Sequence, residues 1–134
     1  MIEVKNLSKQ FKAPSDEKGL FGPKKKPFWA VKDLNFNIKK GSVASILGPN
    51  GCGKTTTLRM IAGMLTPSRG TAFVDSVDVR KDKQTVKSKI GYMTNNTSLY
   101  DRLSVIETIK FFAELNQISA DIYMPRAEKL FDQL

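Results

Sequence analysis

One stretch constrains this chain more than any other: Gly48-Pro49-Asn50-Gly51-Cys52-Gly53-Lys54-Thr55. Just before it, Ser42-Val43-Ala44-Ser45-Ile46-Leu47 is a short run of small and β-branched residues, the kind buried on both faces of a parallel sheet. Just after it, Leu58, Ile61, Ala62 and Leu65 fall at i, i+3, i+4 and i+7. That spacing predicts an amphipathic helix over 55–65, stopped by Thr66-Pro67-Ser68. Gly63 would lie inside it, at a cost of about 1 kcal/mol relative to Ala. Strand, glycine-rich loop and helix together suit an anion. Glycines at 48, 51 and 53 let backbone N–H groups wrap the ligand with no side chain in the way. The unpaired N–H groups of the helix start, and a dipole of about +0.5 charge, face the same point. The spacing GxxxxGK[ST] is that of a phosphate-binding P-loop. Lys54 is expected to reach the β- and γ-phosphates of a nucleotide, Thr55 to bind Mg²⁺ through its hydroxyl, and Thr56 to touch the α-phosphate side.

Composition removes most other chemistries. The 134 residues contain no His, so triads and metal sites that need imidazole are excluded within this chain. The single Cys, Cys52, excludes an intrachain disulfide and a Cys-cluster metal site. Cys52 reads as a small filler at a free position of the loop. No apolar run approaches the roughly 20 residues of a membrane-spanning helix. The start, Met1-Ile2-Glu3-Val4-Lys5, is charged and alternating, unlike a signal peptide. These features predict a soluble, intracellular α/β-type chain.

The formal charge is +9, and it is concentrated. Residues 9–40 hold nine Lys against three acids, and 80–89 hold Arg80, Lys81, Lys83, Lys87 and Lys89 against Asp82. Both stretches read as solvated loops. A basic nucleic-acid or membrane-surface module stays open as an alternative, although aromatics are not interleaved with the charge as in single-strand binders.

The rest of the chain reads as short elements. Ile2, Val4 and Leu7 start a strand; 12–28 is a long Pro/Gly/Lys insert; alternation resumes from Trp29 to Ile38 with a slip at Asp33-Leu34 that predicts a bulge. Gly70–Val79 is β-like and Ile90–Met93 a short strand. Val105, Ile109, Phe112 and Ala113 give a helix capped by a Ser104/Glu107 box. Ala127, Leu130, Phe131 and Leu134 start another, with Pro125 near its first turn and the stripe still running at 134.

At this point the sequence resembles a family. Gly48–Thr55 continued by Thr56-Thr57-Leu58-Arg59-Met60-Ile61-Ala62-Gly63, then Pro67-Ser68-Arg69-Gly70, is similar to the Walker A region of ABC-transporter ATP-binding subunits. Ile2–Lys9, Ala30–Phe36, Gly91-Tyr92-Met93, Leu99–Val105 and Glu107 fit as well, so the resemblance covers nearly the whole chain. The Thr triplet and Leu99-Tyr100-Asp101-Arg102-Leu103 look most like the sodium- and drug-exporting branch. The resemblance implies an α/β P-loop NTPase fold, a RecA-like core with an antiparallel β subdomain, incomplete at the C-terminus. Residues 1–47 would form a β-rich adenine-side part with the insert 12–28. Residues 48–95 would run from P-loop to Q-loop, and 96–134 would begin a helical subdomain.

The resemblance also implies roles. Phe11 matches the aromatic that stacks on adenine, with Phe28 and Trp29 as rivals because the insert displaces the usual spacing. Gly48, Pro49, Asn50, Gly51, Cys52, Gly53, Lys54, Thr55 and Thr56 would hold MgATP. Asn95 stands where the Q-loop Gln belongs, one methylene shorter, as a metal-side and catalytic position. The implied partners are a transmembrane permease subunit, met through 95–105, and a second ATP-binding subunit; no nucleic acid is expected. The implied place is the cytoplasmic side of the cell membrane, bound peripherally to its inner face. The family's signature, Walker B and switch His are expected beyond residue 134, so these residues alone are expected to bind ATP without turning it over. A small P-loop kinase is the other enzyme reading, disfavoured by the Gly63–Gly70 segment.

Overall fold

The computed structural model describes residues 1–12, 27–94 and 102–134. Most of the expected insert, and Asn95, lie outside these. Residues 1–92 and 93–134 form two separate units.

In the first unit, alternating residues build one sheet. β1 (Ile2–Phe11) pairs antiparallel with β2 (Phe28–Ile38) on one side and with β3 (Arg69–Val74) on the other. β3 turns at Asp75-Ser76 into the short β4 (Val77–Asp78), giving the order β2-β1-β3-β4. Asp75 and Ser76 both hold positive φ, 51° and 67°, as a two-residue hairpin turn of primed type requires. The expected slip near Asp33 is present: Asn6 and Asp33 both hold φ 48°, and the β1–β2 register shifts between Val4 and Leu7. Buried Ser8 fixes the kink. Its Oγ accepts from the Asp33 backbone N–H at 2.9 Å, and Asn35 Oδ1 accepts from the Asn6 N–H at 2.8 Å.

The glycine-rich loop leads into α1 (Lys54–Ile61), shorter than the expected 55–65. Its buried face is Thr57, Met60 and Ile61; of the predicted stripe Ile61 and Ala62 are buried and Leu65 packs against the core, while Leu58 is exposed. Met60 and Ile61 join Val4, Leu7, Val31, Ala72, Val74, Val79 and Val86 in one core. Gly63 is not an interior glycine. It follows the helix at φ 69°, its N–H bonds to Met60 O at 3.1 Å, and the Met64 N–H bonds to Arg59 O at 2.9 Å. That is a Schellman stop, which needs the left-handed conformation. An interior glycine would gain from Gly63→Ala; this one is expected to lose about 1–2 kcal/mol. Urea denaturation of the variant reads the sign, and a stabilised variant would contradict the stop.

Three other expectations are corrected. The 80–89 stretch is not all loop: α2 (Lys83–Ser88) starts at Asp82, whose side chain accepts from the Thr85 N–H at 3.0 Å, and Val86 is fully buried under it. Ser42–Leu47 and Ile90–Met93 form no strand; Val43 is 98% and Leu47 89% exposed. A strand buried on both faces exists only between hydrogen-bonded neighbours, and no strand lies beside either segment among the described residues. All pairings present are therefore antiparallel.

The second unit is a helix pair. α3 (Val105–Leu115) opens with the predicted capping box: Ser104 Oγ accepts from the Glu107 N–H, and Glu107 Oε2 accepts from the Ser104 N–H at 2.8 Å. α4 (Ala120–Phe131) starts five residues before Pro125, so this proline sits in the second turn rather than the first, and the helix ends at Phe131 instead of running to 134. Ala113 and Ala127 are buried between the two helices.

The Ser104 hydroxyl, then the Ser104 N–H, hold the Glu107 carboxyl below its ordinary value of 4.5. A carboxylate with a depressed folded value stabilises above its unfolded value and loses that contribution as pH falls through the folded one. α3 is therefore expected to fray on acidification below about pH 4.5, and Glu107→Gln, which keeps the cap without the charge, to remove that dependence. Circular dichroism against pH checks this; an unchanged profile in the variant would refute it.

Candidate functional site

The loop 48–53 earns its shape from its end. Gly53 is the N-cap of α1 at φ 96° and ψ 6°, with no side-chain cap, and the first helical bond runs from the Thr57 N–H to Gly53 O at 2.8 Å. The N–H groups of Lys54, Thr55 and Thr56 have no acceptor within the helix, and no acidic residue stands in the first turn to compete with an anion. Gly53 is closed from outside as well. A Cβ there would collide with Ala30 O and lie 2.9 Å from Val31 Cγ2, so the loop is seated on β2. Sequence reasoning assigned Gly53 to ligand approach; its packing on β2 carried no local signal.

Lys54 arches back over the loop. Its Nζ donates to Gly48 O at 2.7 Å and to Pro49 O at 2.8 Å, which holds the ammonium above the cradle. Thr55 is exposed and Thr56 half-buried at the helix start. Cys52 is exposed, and its thiol lies so close under Gly48 that a Cβ at Gly48 would sit 2.6 Å from Sγ. Alkylation of Cys52 is expected to push bulk into the loop and block nucleotide binding. Equal binding before and after quantitative alkylation would show this wrong.

The aromatics divide between two faces. Paired residues of an antiparallel ladder share a face. Lys9 pairs with Val31, Gln10 with Trp29 and Phe11 with Phe28, because the register slips between Lys9 and Gln10. Phe11 and Phe28 thus lie on the Val31 side, where the loop is seated, about 10 Å farther along β2. Their ring centroids are 5.8 Å apart, and Lys9 Nζ lies 5.3 Å from the Phe11 centroid while donating to Thr66 O at 2.8 Å. Trp29 is on the other face, beneath the Arg69 guanidinium at 5.1 Å. Of the three candidates, Phe11 and Phe28 share the loop's side and Trp29 does not.

A divalent cation would find little protein here. No group of three or more acidic or thiol side chains converges among the described residues. Such a surface fits an ion like Mg²⁺ carried by a nucleotide, which keeps its waters and takes few protein ligands, and Thr55 offers an exposed hydroxyl at the start of α1.

The ABC transporter family profile matches residues 31–134. The ABC transporter ATP-binding protein NatA of Bacillus subtilis (strain 168) is 43% identical over 111 residues, 82% of this chain and 45% of NatA. The phospholipid-transporting ATPase ABCA3 of Homo sapiens is 33% identical over 118 residues, 88% of this chain and 6% of that protein. Among solved structures, the dimeric post-hydrolysis state of the ATP-binding cassette MJ0796 bound to ADP and Pi aligns with a TM-score of 0.74 at 25% identity, over 96% of this chain and 55% of that one. The chain thus spans about half the length of NatA and of the MJ0796 cassette.

Proposed function

Because this chain belongs to the ABC transporter family, we propose that it is the ATP-binding front part of a transporter's nucleotide-binding subunit, of the exporting kind. The observation that carries the reading is the uncapped start of α1, with Lys54 held over a loop seated on β2. Backbone N–H groups of 48–56 take the phosphates. Lys54 neutralises the β- and γ-phosphates, Thr55 contacts the Mg²⁺ that accompanies them, and Thr56 lies toward the α-phosphate. Mg²⁺, when bound, spreads the phosphate charge. Phe11, backed by Phe28, stacks on the adenine, worth about 1–3 kcal/mol in comparable contacts. Asn95 serves the metal side of the site. Two such subunits pair around ATP, and a separate permease docks through 95–105, which holds the subunit on the inner face of the membrane. Among the described residues no helix is long and apolar enough to cross a membrane.

Turnover needs a positioned water and a base, which on this reading belong to the family motifs expected beyond residue 134. The test is a melting curve with MgATP beside a phosphate-release assay. Stabilisation without release is expected. Release that is abolished by Lys54→Ala would overturn the second half of the proposal, and absence of any MgATP effect the first.

A further inference from the structure

The face of the sheet opposite α1 carries a charge cluster that the nucleotide reading does not use. Lys5 pairs with Thr71 across β1 and β3, and Asp78 with Phe73 across β3 and β4, so these side chains lie away from the Val4–Ala72 core face. Lys5, Gly70, Thr71, Asp78, Arg80 and Lys81 line a pocket of about 500 Å³ there. Its one carboxylate is engaged: Asp78 Oδ1 accepts from Thr71 Oγ1 at 2.6 Å and from the Arg80 N–H at 2.8 Å. The turn is closed by the Lys81 N–H on Asp78 O at 3.1 Å. The Arg80 guanidinium donates to Gly70 O at 3.3 Å, which uses one of its five N–H groups. Lys81 forms no ion pair among the described residues, while Lys5 meets Glu3 at 2.9 Å. Three cations against one carboxylate leave the lining at +2, and +1 when Glu3 is counted.

We propose that this pocket is a second anion site, separate from the P-loop, that takes a phosphate group between Arg80, Lys81 and Lys5. A guanidinium fixed at one N–H presents the others as a fork, and two ammonium groups add point charge; a tetrahedral dianion satisfies both. The Thr71–Asp78–Arg80 bonds form the turn before any ligand arrives, so little ordering is lost on binding. The group comes from a lipid headgroup or from a soluble phosphate ester.

The test uses the full chain carrying Lys54→Ala, which takes the P-loop lysine out of competition. Inorganic phosphate is titrated while backbone amide resonances are followed by NMR. Saturable shifts at 70–82 are expected, and Arg80→Gln with Lys81→Gln should weaken them at least fivefold with the core resonances unmoved. Arg80→Lys, which keeps the charge but loses the fork, should weaken them by less than the double variant does. No saturable shift at 70–82, or equal affinity in the double variant, overturns the site. If the double variant does not fold, the titration of the parent chain and of Arg80→Lys decides alone. Co-sedimentation with phosphatidic acid vesicles but not phosphatidylcholine, lost in the double variant, supports the lipid source; phosphate binding without co-sedimentation supports the soluble one.

Discussion

Lys54→Ala is expected to weaken MgATP binding by about 10- to 150-fold, from the loss of charge-assisted hydrogen bonds worth about 1.5–3 kcal/mol. The free chain shows why the effect belongs to the ligand and not to the fold. The Lys54 ammonium is bonded to Gly48 O and Pro49 O, carbonyls of an exposed loop that water satisfies when the lysine is gone. Unfolding by urea should therefore be nearly unchanged. Titration calorimetry measures the affinity; equal affinity in the variant would mean that the ammonium never leaves the loop for the phosphates.

Gly53→Ala should give the largest loss of stability. The left-handed conformation at φ 96° costs about 1–2 kcal/mol for a residue with a side chain. The added methyl group collides with Ala30 O and crowds Val31, and overpacking of this kind costs a further 1–3 kcal/mol or so. About 2–5 kcal/mol is a large part of the 5–15 kcal/mol or so that holds a small domain folded. Gly51→Ala is the comparison. Gly51 also has positive φ, 82°, but open space around it, so only the conformational part applies. Urea midpoints should rank wild type above Gly51→Ala above Gly53→Ala. Equal losses at 51 and 53 would mean that the seat on β2 contributes nothing.

Much of this was legible in the sequence where the signal is local. The capping box at Ser104 and Glu107 depends on residues three apart, and the slip at Asp33 shows as a break in the alternation of its own strand, although Ser8 and Asn6 on β1 hold it; each is present in the structure. The start of α1 and the glycine loop follow from one octapeptide. Other features depend on residues far apart. Whether Gly63 lies inside a helix or ends it is decided by where the core takes Met60 and Ile61. The seat of Gly53 on Ala30 and Val31 joins positions more than twenty apart. The side of Phe11 is set by a register slip on a partner strand. α2 was missed because it offers one buried residue, Val86, in a run of charges. Ser42–Leu47 has the composition of a central strand, but composition supplies only a preference, and pairing needs neighbours.

The central claim is that the loop at 48–55 reads the distal phosphates of a nucleotide. The most direct measurement is titration calorimetry of the full chain with the Mg²⁺ forms of ATP and ADP and with AMP. One site per chain that Lys54→Ala weakens is predicted, with ATP and ADP bound there and AMP at least about tenfold weaker, because Lys54 and the helix start act on phosphates that AMP lacks. AMP bound as tightly as ATP, or no binding of any of the three, would contradict the account.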